Sequence, residues 1–155
     1  MSFDDFYRAQ QQPLLRLCYL ATLDAEAAAD AAQEALTRAW QHWEKIEGTR
    51  PDAWLRTVAL NLCRSRWRKL GREARLRRIG ITVGEDVVRD IDLHAALRAL
   101  PQRQREAVVL HHLQDLTVDD CADAMGVSAG SVKQHLSRGR AALATALATP
   151  METLT

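Results

Sequence analysis

The stretch from Leu116 to Leu143, LTVDDCADAMGVSAGSVKQHLSRGRAAL, constrains this chain most, because it spells out two helices and the tight turn between them. Thr117 caps a first helix, with Asp120 three residues on as a shorter-armed version of the usual capping-box Glu, and Gly126 supplies the left-handed stop. Ser128 caps a second helix, on which Val132, Leu136, Gly139 and Leu143 share one face. Cys121, Ala122, Met125 and Val127 form the surface that meets it. A helix-turn-helix needs a small residue where the helices cross and a glycine in the turn; Ala122 and Gly126 meet those needs. The outward face of the second helix carries Ser131, Lys133, Gln134, His135, Ser137 and Arg138, all hydrogen-bond donors to phosphate or base edges. Asp115, Asp119, Asp120 and Asp123 sit on or just before the first helix, so only the second is made to face DNA. The competing reading is an ordinary helical hairpin with a solvated face.

At 155 residues the chain holds one ordinary domain or two very small ones, and its formal charge of +1 argues neither for nor against nucleic acid. The distribution of charge says more. From Arg64 to Arg78 eight basic residues face the single Glu73, whereas Met1 to Glu34 holds six acids against Arg8 and Arg16. Charge segregated in this way points to different partners on different faces. Cys18, Cys63 and Cys121 are far apart, in apolar helical contexts and without a CxxC, as expected of reduced core residues in a cytosolic protein. His111 and His112 cannot share one side of a helix and the other histidines are scattered, so no metal site is expected. No apolar run reaches membrane-spanning length, and the acidic, amphipathic amino terminus is unlike a secretory signal, so a soluble cytoplasmic protein without membrane insertion is expected.

In chain order the pattern predicts an all-α protein. A first helix begins at Ser2 or Asp4, with Pro13 as a point where it bends or restarts. Asp24 caps a second, Ala-rich helix to about Trp43, with Ala28, Ala32, Ala35, Leu36, Ala39 and Trp43 inward and Asp30, Gln33, Glu34 and Arg38 together on another side. Lys45 to Arg50 is a loop bent at Gly48, and Pro51 opens a third helix with Trp54, Leu55, Val58, Ala59 and Leu62 as its buried stripe. Trp40, Trp43, Trp54 and Trp67 are potential stacking platforms, but most are expected in the core. Residues 71–90 lose clean periodicity and contain Gly71, Gly80 and Gly84, which predicts a flexible linker, with helix to about Arg78 and an extended ITV segment. Asp92 to Leu100 is a short helix stopped by Pro101, and the next packs through Val108, Val109, His112 and Leu113. The helix-turn-helix comes next, with helix to about Ala148.

Several separated motifs then fall in one order. Ala28, Asp30, Gln33, Glu34, Leu36, Arg38, Ala39 and Trp40, then Trp54, Leu55, Val58, Ala59 and Asn61, then Ala99, Leu100, Pro101, Arg105 and Val108, then the helix-turn-helix, resemble the extracytoplasmic-function (ECF) group of bacterial RNA polymerase sigma factors over nearly the whole chain. The resemblance implies two small helical domains, a region-two domain at 1–70 and a region-four domain at 91–150, joined by the linker 71–90, with no extra carboxy-terminal domain. It implies no catalytic residue and no cofactor, and as partners core RNA polymerase through its beta-prime clamp and beta flap, promoter DNA both duplex and single-stranded, and an anti-sigma factor. Asp30, Gln33, Glu34 and Arg38 match the residues that grip the clamp; the alternative is a solvated helix face. Lys45, Glu47, Thr49, Arg50 and Asn61 match the reader of a flipped minus-ten base, with Arg64, Arg66, Arg68 and Lys69 on phosphates; Asn61 could instead pin the loop backbone. Lys133, Gln134, Ser137 and Arg138 fall where the minus-thirty-five element is read, with Ser131 and Arg140 on phosphates. Departures from the family pattern are Ala29 and Ser65 where acids are usual, and Gln134-His135 in place of Ser-Arg.

Two readings from other classes make different demands. A polymerase-independent repressor would use the helix-turn-helix as a dimer on a palindrome and would not need the Gln33-Glu34 patch. A recombinase would need a nucleophile or acid cluster, and Ser2, Ser65, Tyr7 and Tyr19 form no such constellation.

Overall fold

The structure, a computed structural model, describes residues 1–73 and 91–152, with side chains over 1–66 and 93–146. The chain divides into two compact units, Met1–Ile81 and Thr82–Thr155. The described residues are helical, without a strand.

In the first unit α1 (Phe3–Thr22), α2 (Ala25–Gln41) and α4 (Pro51–Glu73) pack pairwise, and α3 (Trp43–Ile46) is a single turn after α2. Helix ends obey local hydrogen-bond chemistry. Ser2 Oγ accepts from the Asp5 amide at 3.2 Å, and Asp24 Oδ1 accepts from the Ala27 amide at 2.8 Å, so each cap satisfies a donor that the first turn leaves open. Leu23 closes α1 in the left-handed region at φ 55°. Pro13 lies inside α1 without breaking it. The bond it cannot donate is one among many in a helix of 20 residues, and Phe6, Leu14, Leu17 and Cys18 anchor both halves in the core.

Ala28, Ala31, Ala32, Ala35 and Ala39 of α2 are buried, and their small side chains let α1 and α4 approach closely. On α4 the buried residues are Leu55, Ala59, Leu60 and Cys63, while Trp54 and Val58 are half-buried and Leu62 is likewise only partly covered. The stripe is therefore centred one position away from the expected one. Helix α4 also passes through Gly71 to Glu73, three residues beyond the expected domain end at 70. An isolated glycine costs a helix only about 1 kcal/mol, too little to stop one. The rest of the expected linker, from 74 to 90, including the ITV segment, lies outside the described residues, as do the side chains of Trp67, Arg68 and Lys69.

In the second unit α5 (Ile91–Arg98), α6 (Gln102–Val108), α7 (Val118–Met125) and α8 (Ala129–Glu152) surround a core of Leu97, Leu100, Val108, Val109, Leu110, Met125, Val132 and Leu136. A π-helical turn, Val109–Leu113, continues α6 and is closed by the Gln114 amide on the Val109 carbonyl at 3.0 Å. It overturns one expectation. Val108 and Val109 are buried, but His112 and Leu113 face solvent, because the wider turn rotates the residues after it by about one position, on the order of 100°. Gly139 is buried where α8 crosses α6: a methyl group there would meet Val108 Cγ2 at 2.8 Å, so only glycine permits this approach.

Candidate functional site

The turn between α7 and α8 is built as its residues dictate. Thr117 Oγ1 accepts from the Asp120 amide at 3.1 Å, and Ser128 Oγ accepts from the Ser131 amide at 3.1 Å. Gly126, at φ 67°, donates to the Asp123 carbonyl at 3.4 Å while Val127 donates to the Ala122 carbonyl at 3.1 Å, the paired bonds of a Schellman stop. Cys121, Ala122 and Met125 are buried, as are Val132, Leu136 and Gly139 of α8, whereas Val127 and Leu143, expected on the same faces, are half-buried.

With those positions inward, Lys133, Gln134, Ser137, Arg138 and Arg140 are exposed on α8. Ser131 is half-buried in the first turn, where its hydroxyl accepts from Ser128 Oγ at 3.1 Å, and Arg140 Nε donates to the Leu136 carbonyl at 3.3 Å. His135 differs from the expectation of an outward donor. It is half-buried, with Nδ1 enclosed, because three residues after Val132 it flanks the buried stripe. The acidic first helix keeps Asp119 and Asp123 exposed, which leaves α8 as the cationic side of the pair.

One supporting residue is invisible to the motif. Arg103 of α6 donates through Nη1 to the Met125 carbonyl at 3.0 Å and to Glu106 Oε2 at 3.0 Å, with Glu106 also accepting from Gln102 Nε2 at 3.4 Å. A cation on the last carbonyl of α7 suits the helix dipole and fixes the turn from outside it. Beside it Arg105 is buried; loss of hydration first, then Arg98, pull its pKa down to about 10 against the opposing pull of Glu106.

On α2 the structure brings the second candidate set together. Arg38 Nη2 lies 2.7 Å from Glu34 Oε1, and Asp30 and Gln33 are exposed beside them. Arg66, expected on phosphates, instead reaches across from α4 to Glu34 Oε2 at 2.5 Å and Asp30 Oδ2 at 3.8 Å.

Comparison with known proteins gives these surfaces a family. Residues 6–73 match the family Sigma-70 region 2, and residues 90–143 match Sigma-70, region 4. The RNA polymerase sigma-E factor of Streptomyces coelicolor is 34% identical, the match covering 92% of this chain and 84% of that protein. The chain belongs to the ECF group of sigma-70 factors. It is also 29% identical to the ECF RNA polymerase sigma factor SigM of Mycobacterium tuberculosis, over 92% of this chain and 76% of the relative. Among solved structures, the sigma factor RpoE in complex with the anti-sigma factor NepR from Bartonella quintana superposes with a TM-score of 0.79 at 27% identity, covering 94% of this chain and 96% of that one.

The remaining candidates of this sigma factor are spread along its first unit. Lys45 lies in the last turn of α3, and Glu47, Thr49 and Arg50 come after it, all exposed. The expected loop is therefore shorter than Lys45 to Arg50, beginning after Ile46. Thr49 Oγ1 donates to the Ile46 carbonyl at 2.8 Å, which folds the loop on itself. Asn61 is exposed on α4, ten residues past Pro51 and so about 15 Å along the helix from the loop. Arg64 is half-buried three residues further on.

Trp40 is 64% exposed, whereas Trp43 packs on Phe6 with ring centroids 5.0 Å apart and Trp54 against His42 at 5.7 Å. Trp40 lines a shallow cleft with Phe3, Tyr7, Gln33, Leu36 and Thr37. A signal for it exists: Gln33, Thr37 and Trp40 stand at i, i+4 and i+7, on one helix face. Among the described residues no helix is long and apolar enough to cross a membrane, and no three His, Cys, Asp or Glu side chains gather as metal ligands.

Proposed function

We propose that this chain binds core RNA polymerase and gives it promoter specificity, recognising two promoter elements and assisting duplex opening at the start of transcription. The observation that carries this reading is the separation of two unlike surfaces in one sigma-type chain, a donor-rich α8 and a carboxylate-bearing patch on α2. A free-standing DNA binder needs only the first.

Asp30, Gln33, Glu34 and Arg38 form the contact with the beta-prime clamp, and the second unit meets the beta flap. Thr49, Arg50 and Asn61, with Lys45 and Glu47, handle the minus-ten element, where a base leaves the stack at a cost of only a few kcal/mol. Arg64, Arg68 and Lys69 hold nearby phosphates. Lys133, Gln134, Ser137 and Arg138 read the minus-thirty-five element from the major groove, with Ser131 and Arg140 on its backbone. The functional division is a polymerase- and minus-ten-binding part at 1–70 and a minus-thirty-five-binding part at 91–150. The chain acts in the cytoplasm and contributes no catalytic group; bond formation belongs to the polymerase. The likeness to an RpoE captured with an anti-sigma factor supports an anti-sigma partner here as well.

Equilibrium binding of a labelled chain to core polymerase tests the reading. Glu34→Lys places a cation where the partner expects an anion and should weaken binding by about tenfold or more. Unchanged affinity would remove the α2 patch from the polymerase interface.

A further inference from the structure

Arg66 sits in a run of basic residues, yet its guanidinium is turned to α2. Nη2 lies 2.5 Å from Glu34 Oε2 and Nη1 lies 3.8 Å from Asp30 Oδ2, and the first of these contacts joins residues 32 positions apart. The other Glu34 oxygen, Oε1, is held by Arg38 Nη2 at 2.7 Å. Each oxygen of this carboxylate therefore has one arginine, from a different helix. The side chains of Glu34 and Arg66 are 37% and 30% exposed, so the pair is partly shielded but open on one side. An ionised carboxylate offers about four acceptor sites, and two arginine contacts leave room for further donors.

We propose that Arg66 is a positioning residue of the partner surface, pinning the Glu34 carboxylate between α4 and α2 in the orientation that receives a cationic donor from core polymerase. The proposal rests on the assignment of the α2 patch to the polymerase. Its physical basis is preorganisation: a glutamate held by two guanidinium groups before binding has little rotamer freedom left to lose. It also separates Arg66 from the DNA-facing cations. Arg64 and Arg66 are two positions apart, about 200° around the helix, so they serve opposite sides. A masking contact predicts the opposite sign, because removing Arg66 would then free two carboxylates for the incoming cation.

The test is the affinity of the fluorescently labelled full chain for core polymerase, measured for the original protein, Arg66→Ala, Arg66→Gln and Arg66→Lys, each also in a Glu34→Ala background. Binding of a single-stranded minus-ten oligonucleotide by preformed holoenzyme is measured alongside, and thermal unfolding selects the neutral variant that is folded. Arg66→Ala or Arg66→Gln should weaken core binding about threefold to tenfold, the range expected for one side chain left to be ordered on binding. Arg66→Lys should recover part of the loss, since it keeps the charge but not the planar fork. The loss should vanish in the Glu34→Ala background, and oligonucleotide binding should not change. If Glu34→Ala weakens core binding while the Arg66 variants bind equally or more tightly, positioning is overturned and the patch assignment stands. An Arg66 effect that persists at full size without Glu34, or that falls on the oligonucleotide alone, also overturns it. If Glu34→Ala leaves core affinity unchanged, the patch assignment fails and the proposal with it.

Discussion

Arg103 and Met125 are joined by a 3.0 Å hydrogen bond from the guanidinium to the carbonyl, so α6 holds the end of the first helix of the helix-turn-helix. The same guanidinium neutralises the buried Glu106 at 3.0 Å. Arg103→Ala leaves that carboxylate without this cation and the last turn of α7 without its cap, at a cost of about 2 to 4 kcal/mol. Amide hydrogen exchange in the full chain should show faster exchange across α7 and the start of α8, with α1, α2 and α4 unaffected.

The second unit should lose stability in mild acid. Burial first, then Arg98 and Arg105, lower the pKa of His94 from its ordinary value of 6.5. With the native pKa depressed, the unfolded chain binds more protons just below pH 6.5, so stability is full above that value and falls as pH drops through the native pKa. Exchange rates in α5 to α8 measured between about pH 7.5 and 5 should rise in that direction after correction for intrinsic chemistry, and His94→Gln should flatten the profile.

The reading proposed for α8 predicts two kinds of contact from its exposed residues. Gln134 suits a bidentate contact with adenine, so Gln134→Ala should relax preference at one position of the minus-thirty-five element by about 1 to 3 kcal/mol. Arg140→Ala should weaken all sequences about equally and lower the salt slope by about one unit. Holoenzyme binding to a panel of single-substituted promoters checks both. A uniform loss with Gln134→Ala would make Gln134 a backbone contact and change the register assigned to α8.

Features set by bonds a few residues long are legible in the sequence. Ser2, Asp24, Thr117 and Ser128 cap the helices expected of them, and Gly126 takes the left-handed stop, since each uses a donor or torsion within three residues. The inward face of the helix-turn-helix comes from its 3.6-residue period. Features set by register or tertiary reach are not legible. The π-helical turn at Val109–Leu113 turns His112 and Leu113 outward, and no local signal marks it. Arg66 groups with its basic neighbours on phosphates because Glu34, its partner, lies 32 residues away. Cys18 illustrates the same limit. Its thiol pKa is raised first by a hydrogen bond with Cys63 on another helix and then by burial, a pairing that the expectation of three separate core cysteines does not contain.

Run-off transcription from a pool of promoter fragments tests the central claim most directly. The chain alone and core polymerase alone should give no discrete transcripts, while the two together should start at a limited set of sites sharing two spaced elements upstream. Binding of the isolated chain to palindromic DNA, with no new start sites when polymerase is added, would contradict the account.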